Sequence, residues 1–273
     1  MKHTPLKLAA IMFALAGTLI FASCQRNGNS KDSDTSSASD NALSEFAYND
    51  ALNIADDASD KQTGDNLGSY KTASACATVT HDTLSTPKLL TIDFGPTNCL
   101  CNDGRYRRGK ILVSYTGKYR DAGHIHTITF DQYFVNDNQI MGTKTVENMG
   151  LNANNQSYFN INVNGTIVKS TGDTITRLAT RTRTWIQGEA TQTWMDDVYE
   201  ITGSGSGTHT NGSYTMNITQ PLIKEVGCKW FTAGKMDIQP SGKPLRSIDF
   251  GTGACDNQAT VTINGNTFNI YLN

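Results

Sequence analysis

Arginines and aromatics gathered in one stretch of this sequence are suited to gripping a polar ligand. From Thr174 to Ile186 the residues alternate, so that Arg177, Arg181, Arg183 and Trp185 fall on one side of a strand and Thr176, Thr180, Thr182 and Thr184 on the other. Trp194 and Tyr199 follow closely. Guanidinium groups hold anions through paired N–H donors, and indole rings stack on sugars. A stiff strand carrying both predicts a face for an acidic glycan or another envelope component. The plainer expectation is a solvated sheet face whose arginines pair across strands with Glu147, Asp196, Asp197 or Glu200. Glu189, Asp196 and Asp197 could also supply the two carboxylates that glycoside hydrolysis needs, although spacing along a chain does not set separation in space. His124 and His126 share one face of a strand and could give two metal ligands, but no third is placed beside them. No catalytic residue, metal or cofactor is therefore assigned.

The block Ile-Asp-Phe-Gly occurs twice, at Ile92–Gly95 and Ile248–Gly251. Its last three residues resemble the metal-binding triplet of protein kinases. The glycine-rich loop, strand lysine and His-Arg-Asp loop that kinase chemistry requires are missing. The expectation is that Asp93 and Asp249 bond turn amides while Phe94 and Phe250 pack inward. The chain also lacks Gly-x-Ser-x-Gly, His-Glu-x-x-His and a phosphate loop. Cys99 and Cys255 each lie four residues beyond the glycine of the block, and Cys76 and Cys228 precede it. Two degenerate copies of one β unit, about 76–117 and 228–273, account for this spacing. The repeat predicts equivalent disulfides, Cys228–Cys255 and Cys76 to either Cys99 or Cys101. Each would close a loop of about 25 residues and contribute roughly 3 kcal/mol. One of Cys99 and Cys101 is left as a spare, partly buried thiol.

The scaffold for these residues reads as all-β. Of 273 residues only 37% are hydrophobic and 18% charged, with 24 glycines and 6 prolines. A chain rich in Thr, Asn, Ser and Gly excludes a helical bundle and suits strands joined by turns. Phe159, Ile161 and Val163 alternate with Asn160, Asn162 and Asn164, and Val261 and Ile263 run through Asn264-Gly265 into Phe268, Ile270 and Leu272. Further strands are expected near 111–115, 124–135, 139–146, 174–186, 198–202, 214–218 and 235–238. No helical pattern interrupts them. The prediction is a large antiparallel meander, as a sandwich or an open curved half-barrel, with one short N-terminal helix from Asp40 to about Ala58. Net charge is −2, so nothing global attracts nucleic acid.

The N-terminus carries an address. Lys2 and Lys7 precede an apolar run from Leu8 to Ala22, which ends in Phe21-Ala22-Ser23-Cys24. This resembles a bacterial lipoprotein signal, with Phe21 where Leu is usual, as in the looser lipoboxes of Bacteroidota. The resemblance implies removal of residues 1–23, acylation of Cys24 and attachment to a membrane through lipid (palmitate-type) chains. Gln25 stands where Asp would resemble an inner-membrane retention signal, so the outer membrane is expected, on either of its faces. Residues 24–39 read as a polar tether and 40–75 as helix and acidic linker, while 76–273 form the β domain. Residues 24–75 hold 4 basic and 9 acidic side chains, against 17 and 16 in 76–273.

Three segments, Asn53–Ala58, Thr180–Ile186 and Ile248–Asn257, resemble β-rich lipoproteins of Bacteroidota. That resemblance implies location and fold and brings no activity with it. The expected function is a lipid-anchored, non-catalytic envelope module that binds glycan or gives structure. The alternatives are a carrier of lipid or hydrophobic ligand in a half-barrel, and a hydrolase with an unrecognised carboxylate site.

Overall fold

The computed structural model describes residues 32–60, 76–191, 193–210 and 212–272. The signal, the lipobox with Cys24 and half of the expected tether lie outside them. One long helix, α1 (Ser36–Asp60), comes first. It starts earlier than the sequence predicts, because Ser36-Ser37-Ala38-Ser39 has little helix propensity of its own. Tertiary pairing supplies the difference. Asp34 Oδ1 accepts the Ser36 N–H at 2.9 Å, while Asp34 and Asp32 bind Lys243 and Arg246. Asp40, where the sequence predicts the helix to begin, lies inside it and pairs with Lys169 at 3.0 Å. Residues 36–39 are thus helical rather than tether.

Among the described residues fourteen strands follow. They are β1 (Thr78–Asp82), β2 (Lys88–Asp93), β3 (Cys99–Leu100), β4 (Tyr106–Tyr115), β5 (Ile125–Val135), β6 (Asn138–Leu151) and β7 (Ser157–Val168), then β8 (Thr174–Gln187), β9 (Val198–His209), β10 (Gly212–Glu225), β11 (Ala233–Pro240), β12 (Arg246–Thr252), β13 (Gln258–Ile263) and β14 (Asn266–Tyr271). Each pairs antiparallel with the next in one continuous open sheet; β3 is a short side branch on β4. The meander is therefore all-β, with one helix. Asn264 and Gly265 both have positive φ, 49° and 76°, as the predicted two-residue hairpin between β13 and β14 requires.

β9 runs past Thr202 through Gly203-Ser204-Gly205-Ser206-Gly207, a stretch that the sequence reads as strand end. Its glycines are spatial: a Cβ on Gly205 would stand 2.4 Å from the Leu178 carbonyl oxygen and 2.5 Å from the Met216 methyl. Close approach of backbone to backbone, not turn formation, explains the run.

The sheet curls around α1. Six helical residues, Glu45–Asp50, cover about 9 Å of axis, yet bond to β4, β6, β7 and β8. In a flat sheet those strands would span about 19 Å. Ala47, Ala51, Ala55 and Ala58 keep the helix close to the wall, where Tyr48, Ile54, Ile92, Ile111, Ile140, Ile161 and Ile238 are buried with them. Tyr48 sets the depth. Its hydroxyl donates to the Met141 carbonyl at 2.8 Å, in space left by Gly165, where a Cβ would lie 1.8 Å from that oxygen. Gly165→Ala is expected to destabilise the protein by about 1–3 kcal/mol. Combining it with Tyr48→Phe should recover part of the loss in a chemical denaturation series.

Candidate functional site

The alternation predicted for β8 is present, but its arginine side is the inner one. Arg177, Arg181 and Arg183 are 2%, 4% and 7% exposed and Trp185 is 4% exposed. For Arg177 and Arg181 the partner is none of the acids expected from neighbouring strands. Glu45 of α1 accepts from Arg181 at 2.7 Å and from Arg177 through the same oxygen. Arg177 also donates to Asn41 at 2.9 Å, and Arg181 to the Ser204 carbonyl. Burial would raise the Glu45 carboxyl, yet the two arginines hold it down at about 2. There is thus no flat Arg/Trp face on the outside. Trp194 begins a single 3-10 turn, Trp194–Asp196, and its side chain lies outside the described set. Substituting Arg181, Arg183 and Trp185 would disturb the core rather than spare the fold.

Other ion pairs dock the same helix. Arg107 of β4, fully buried, binds Asp50 at 2.8 Å and Asp103 at 2.7 Å. Lys144 of β6 is 1% exposed and, among the described residues, donates to two neutral oxygens, the Tyr48 carbonyl and Asn49 Oδ1, both at 3.0 Å. Desolvation pulls its pKa down to about 7, against the opposing pull of Glu45 and Asp56. Lys224 of β10 bonds to the carbonyls of Glu225 and Cys228, and desolvation lowers it to about 8.

Among the described residues, two cavities adjoin α1. The larger, about 110 Å³, lies between the outer side of the helix (Phe46, Asn49) and a wall from the loop after β10 (Val226, Phe231) and the last strands (Ile248, Leu272). Asp103 and Arg105, which lead into β4, also line it. The cleft therefore marks the seam where the two ends of the curled sheet approach without pairing. The Cys228–Cys255 disulfide pins its loop wall. Trp230 there has a buried indole N–H without a partner. The smaller cavity, about 30 Å³, lies beneath the helix against β6–β10. Glu45, Asn49, Asn53 and Lys224 line both.

The remaining candidates are dispersed. Cys76 is bonded to Cys99, which resolves the alternative with Cys101; Cys101 is free and buried. Asp93 and Asp249 accept the N–H of Gly95 and Gly251 at 2.8 and 2.9 Å, and Phe94 and Phe250 are buried. Glu189 takes the Ser157 hydroxyl, Asp196 the Thr191 hydroxyl, and Asp197 lies buried beside the Tyr199 hydroxyl at 3.5 Å. Burial, with some help from Asp196, lifts the Asp197 carboxyl to about 6. These acids serve separate local contacts. His124 and His126 bond Thr116 and the Gly117 carbonyl. Among the described residues no three His, Cys, Asp or Glu group as a metal site would need, and no helix is long and apolar enough to cross a membrane. The cleft and cavity were not foreseen from sequence; the inward arginines were the one available signal.

Glu45→Gln leaves two buried guanidinium groups without their charge partner and is expected to cost about 3–5 kcal/mol, read by urea denaturation. Lys144 works in the opposite sense. Its proton is held less tightly when folded, so below about pH 7 the folded protein bears the full cost of a buried ammonium, and stability from this residue rises with pH toward its unfolded value. Lys144→Met should therefore raise the melting temperature most near about pH 6 and least near about pH 10. Compared with family models, curated proteins and solved structures, the chain finds no match in any of the three.

Proposed function

We propose that this chain is a lipid-anchored, non-catalytic protein of the bacterial cell envelope that holds a ligand with an apolar body in the seam cleft. The anchor part follows from Lys2, Lys7, the apolar run and Cys24; acylation of that cysteine would fix the protein to the outer membrane. The ligand part rests on one observation. The cleft is walled by Phe46, Val226, Phe231, Ile248, Ile270 and Leu272, a concave apolar surface with convergent polar groups at its edge. At about 110 Å³ it is smaller than the roughly 300–1,000 Å³ of drug-sized ligand sites, which limits what it encloses to a short apolar segment, such as part of an acyl chain. Glycan recognition by a β8 face loses its support, since the arginines it needs are turned inward.

Two substitutions test the two halves. Cys24→Ser should abolish incorporation of labelled fatty acid and release the protein from the membrane fraction; retention would refute the anchor. Val226→Trp fills the cleft. It should lower the affinity for dodecanol about tenfold or more at an unchanged melting temperature, and equal binding by the folded variant would refute the cleft.

A further inference from the structure

The last strand, β14, ends the sheet with one flank unpaired. Among the described residues it pairs with β13 alone, and no other element makes an extensive contact with it. The opposite end of the sheet reaches the neighbouring cleft through Asp103 and Arg105 rather than through a strand. The register gives the direction of its backbone groups. The Leu272 N–H donates to the Asn257 carbonyl at 2.7 Å, and Ile263 and Asn266 close the two-residue hairpin. Hydrogen-bonded and non-bonded pairs alternate along an antiparallel ladder. Asn266, Phe268, Ile270 and Leu272 therefore direct their N–H and C=O groups at β13. Thr267, Asn269 and Tyr271 direct theirs away from the sheet.

Natural sheets guard such an edge with charged side chains, proline or a bulge. In β14 all three are missing. Its register with β13 is unbroken, and residues 257–273 contain no proline and no charged side chain. The other edge strand, β1, ends in His81-Asp82. The inner side of the β14 flank is uncovered as well. Val261 is fully buried, yet Phe268 directly opposite is only half-buried, with a strand on one side of it and none described on the other.

A strand that fits this edge is uncharged, alternates as β14 does and offers three outward backbone groups in step with it. β14 itself has these properties. Set antiparallel about a two-fold axis at Asn269, two copies match Thr267 with Tyr271 and Asn269 with Asn269. Each pair then exchanges both N–H···O bonds. No other two-fold register uses all three residues. On the inner side Phe268 meets Ile270 of the second copy, and on the outer side Tyr271 meets Thr267. Aromatic against β-branched is a favourable cross-strand combination, and no like charges oppose one another.

We propose that β14 is a dimerisation edge, at which two copies of this chain join in that register and the sheet continues from one into the other. A two-fold contact of this kind closes on itself and stops at two. The dimer depends on neither the ligand of the cleft nor the anchor.

Sedimentation velocity on the full chain carrying Cys24→Ser, over a concentration series, should show a reversible dimer. Asn269→Lys sets like charges against each other at the axis. It should weaken dimerisation at least about tenfold, a loss of about 1.4 kcal/mol, with recovery in high salt. Asn269→Cys reads the register itself. Hydrogen-bonded pairs stand about 5.5 Å apart at Cα, within the span of a disulfide, so mild oxidation should trap a covalent dimer. Thr215→Cys, exposed on the outside of β10, should trap far less. A monomer at every concentration with no cross-link at position 269 would overturn the proposal. Assemblies that grow past the dimer, as β14 pairing head-to-tail with β1 would give, would overturn it too. So would a dimer that is indifferent to Asn269→Lys and that Asn269→Cys does not trap.

Discussion

The structure depends on one electrostatic bargain, in which an acidic helix meets a sheet whose inner face is basic. Asp32, Asp34, Asp40, Glu45 and Asp50 on and before α1 pair with Arg246, Lys243, Lys169, Arg177 with Arg181, and Arg107. These contacts reach from β4 to β12, nearly the width of the sheet. Buried ion pairs contribute little net stability, because desolvation opposes the Coulomb attraction. Their effect here is to fix position. A helix striped with alanine could slide or turn within a smooth apolar trough, whereas Glu45 must meet Arg177 and Arg181 while Asp50 meets Arg107. Tyr48 in the notch at Gly165 adds the steric part of the same specification. The sheet in turn needs the helix, since without it several buried cations would face one another.

The same arrangement explains why the sheet stays open. A closed barrel this wide would enclose more space than side chains can fill, and here the helix fills it. Strands at the two ends then approach across the helix rather than across a hydrogen-bonded ladder. Each end has the same local devices: a disulfide, a hydrogen bond from the Gly N–H to the Asp carboxylate at an Ile-Asp-Phe-Gly corner, and a lysine on that aspartate, Lys110 on Asp93 and Lys235 on Asp249. These corners stiffen the sheet where ladder pairing is about to run out. The cleft lies at the resulting seam, a consequence of closing a core with a helix in place of a final strand pair.

Legibility in the sequence follows the range of the interaction. Local rules were readable: the alternation of β7 and β8, the Asn264-Gly265 turn, the paired spacing of cysteines and the turn role of Asp93 and Asp249. Properties set by distant partners were not. Arginines on one side of an alternating strand read as the wet side, because an isolated strand gives no sign that an acid 130 or more residues away will cover them. The charge asymmetry held the missing half of that information, with 9 acids in residues 24–75, but composition does not assign pairs. The serine-rich start of α1 and the glycine run of β9 failed for the same reason. In both, intrinsic propensity was overridden by contacts with other elements.

A core held by charge pairing differs from an oily one in what it does with a mismatch. In an apolar core a missing methyl leaves a dry void and a modest loss. In an ionic core a missing charge leaves a site with a strong preference for one kind of occupant. Toward β4 and β12 the buried arginines have carboxylate partners, whereas between β6 and β10 Lys144 and Lys224 meet neutral oxygens and the Nε and Nη2 of Arg183 have no hydrogen-bond partner. That incompleteness falls next to the seam cleft, where the sheet also leaves space. Two deficits of the same construction, one of counter-charge and one of packing, thus lie side by side along α1.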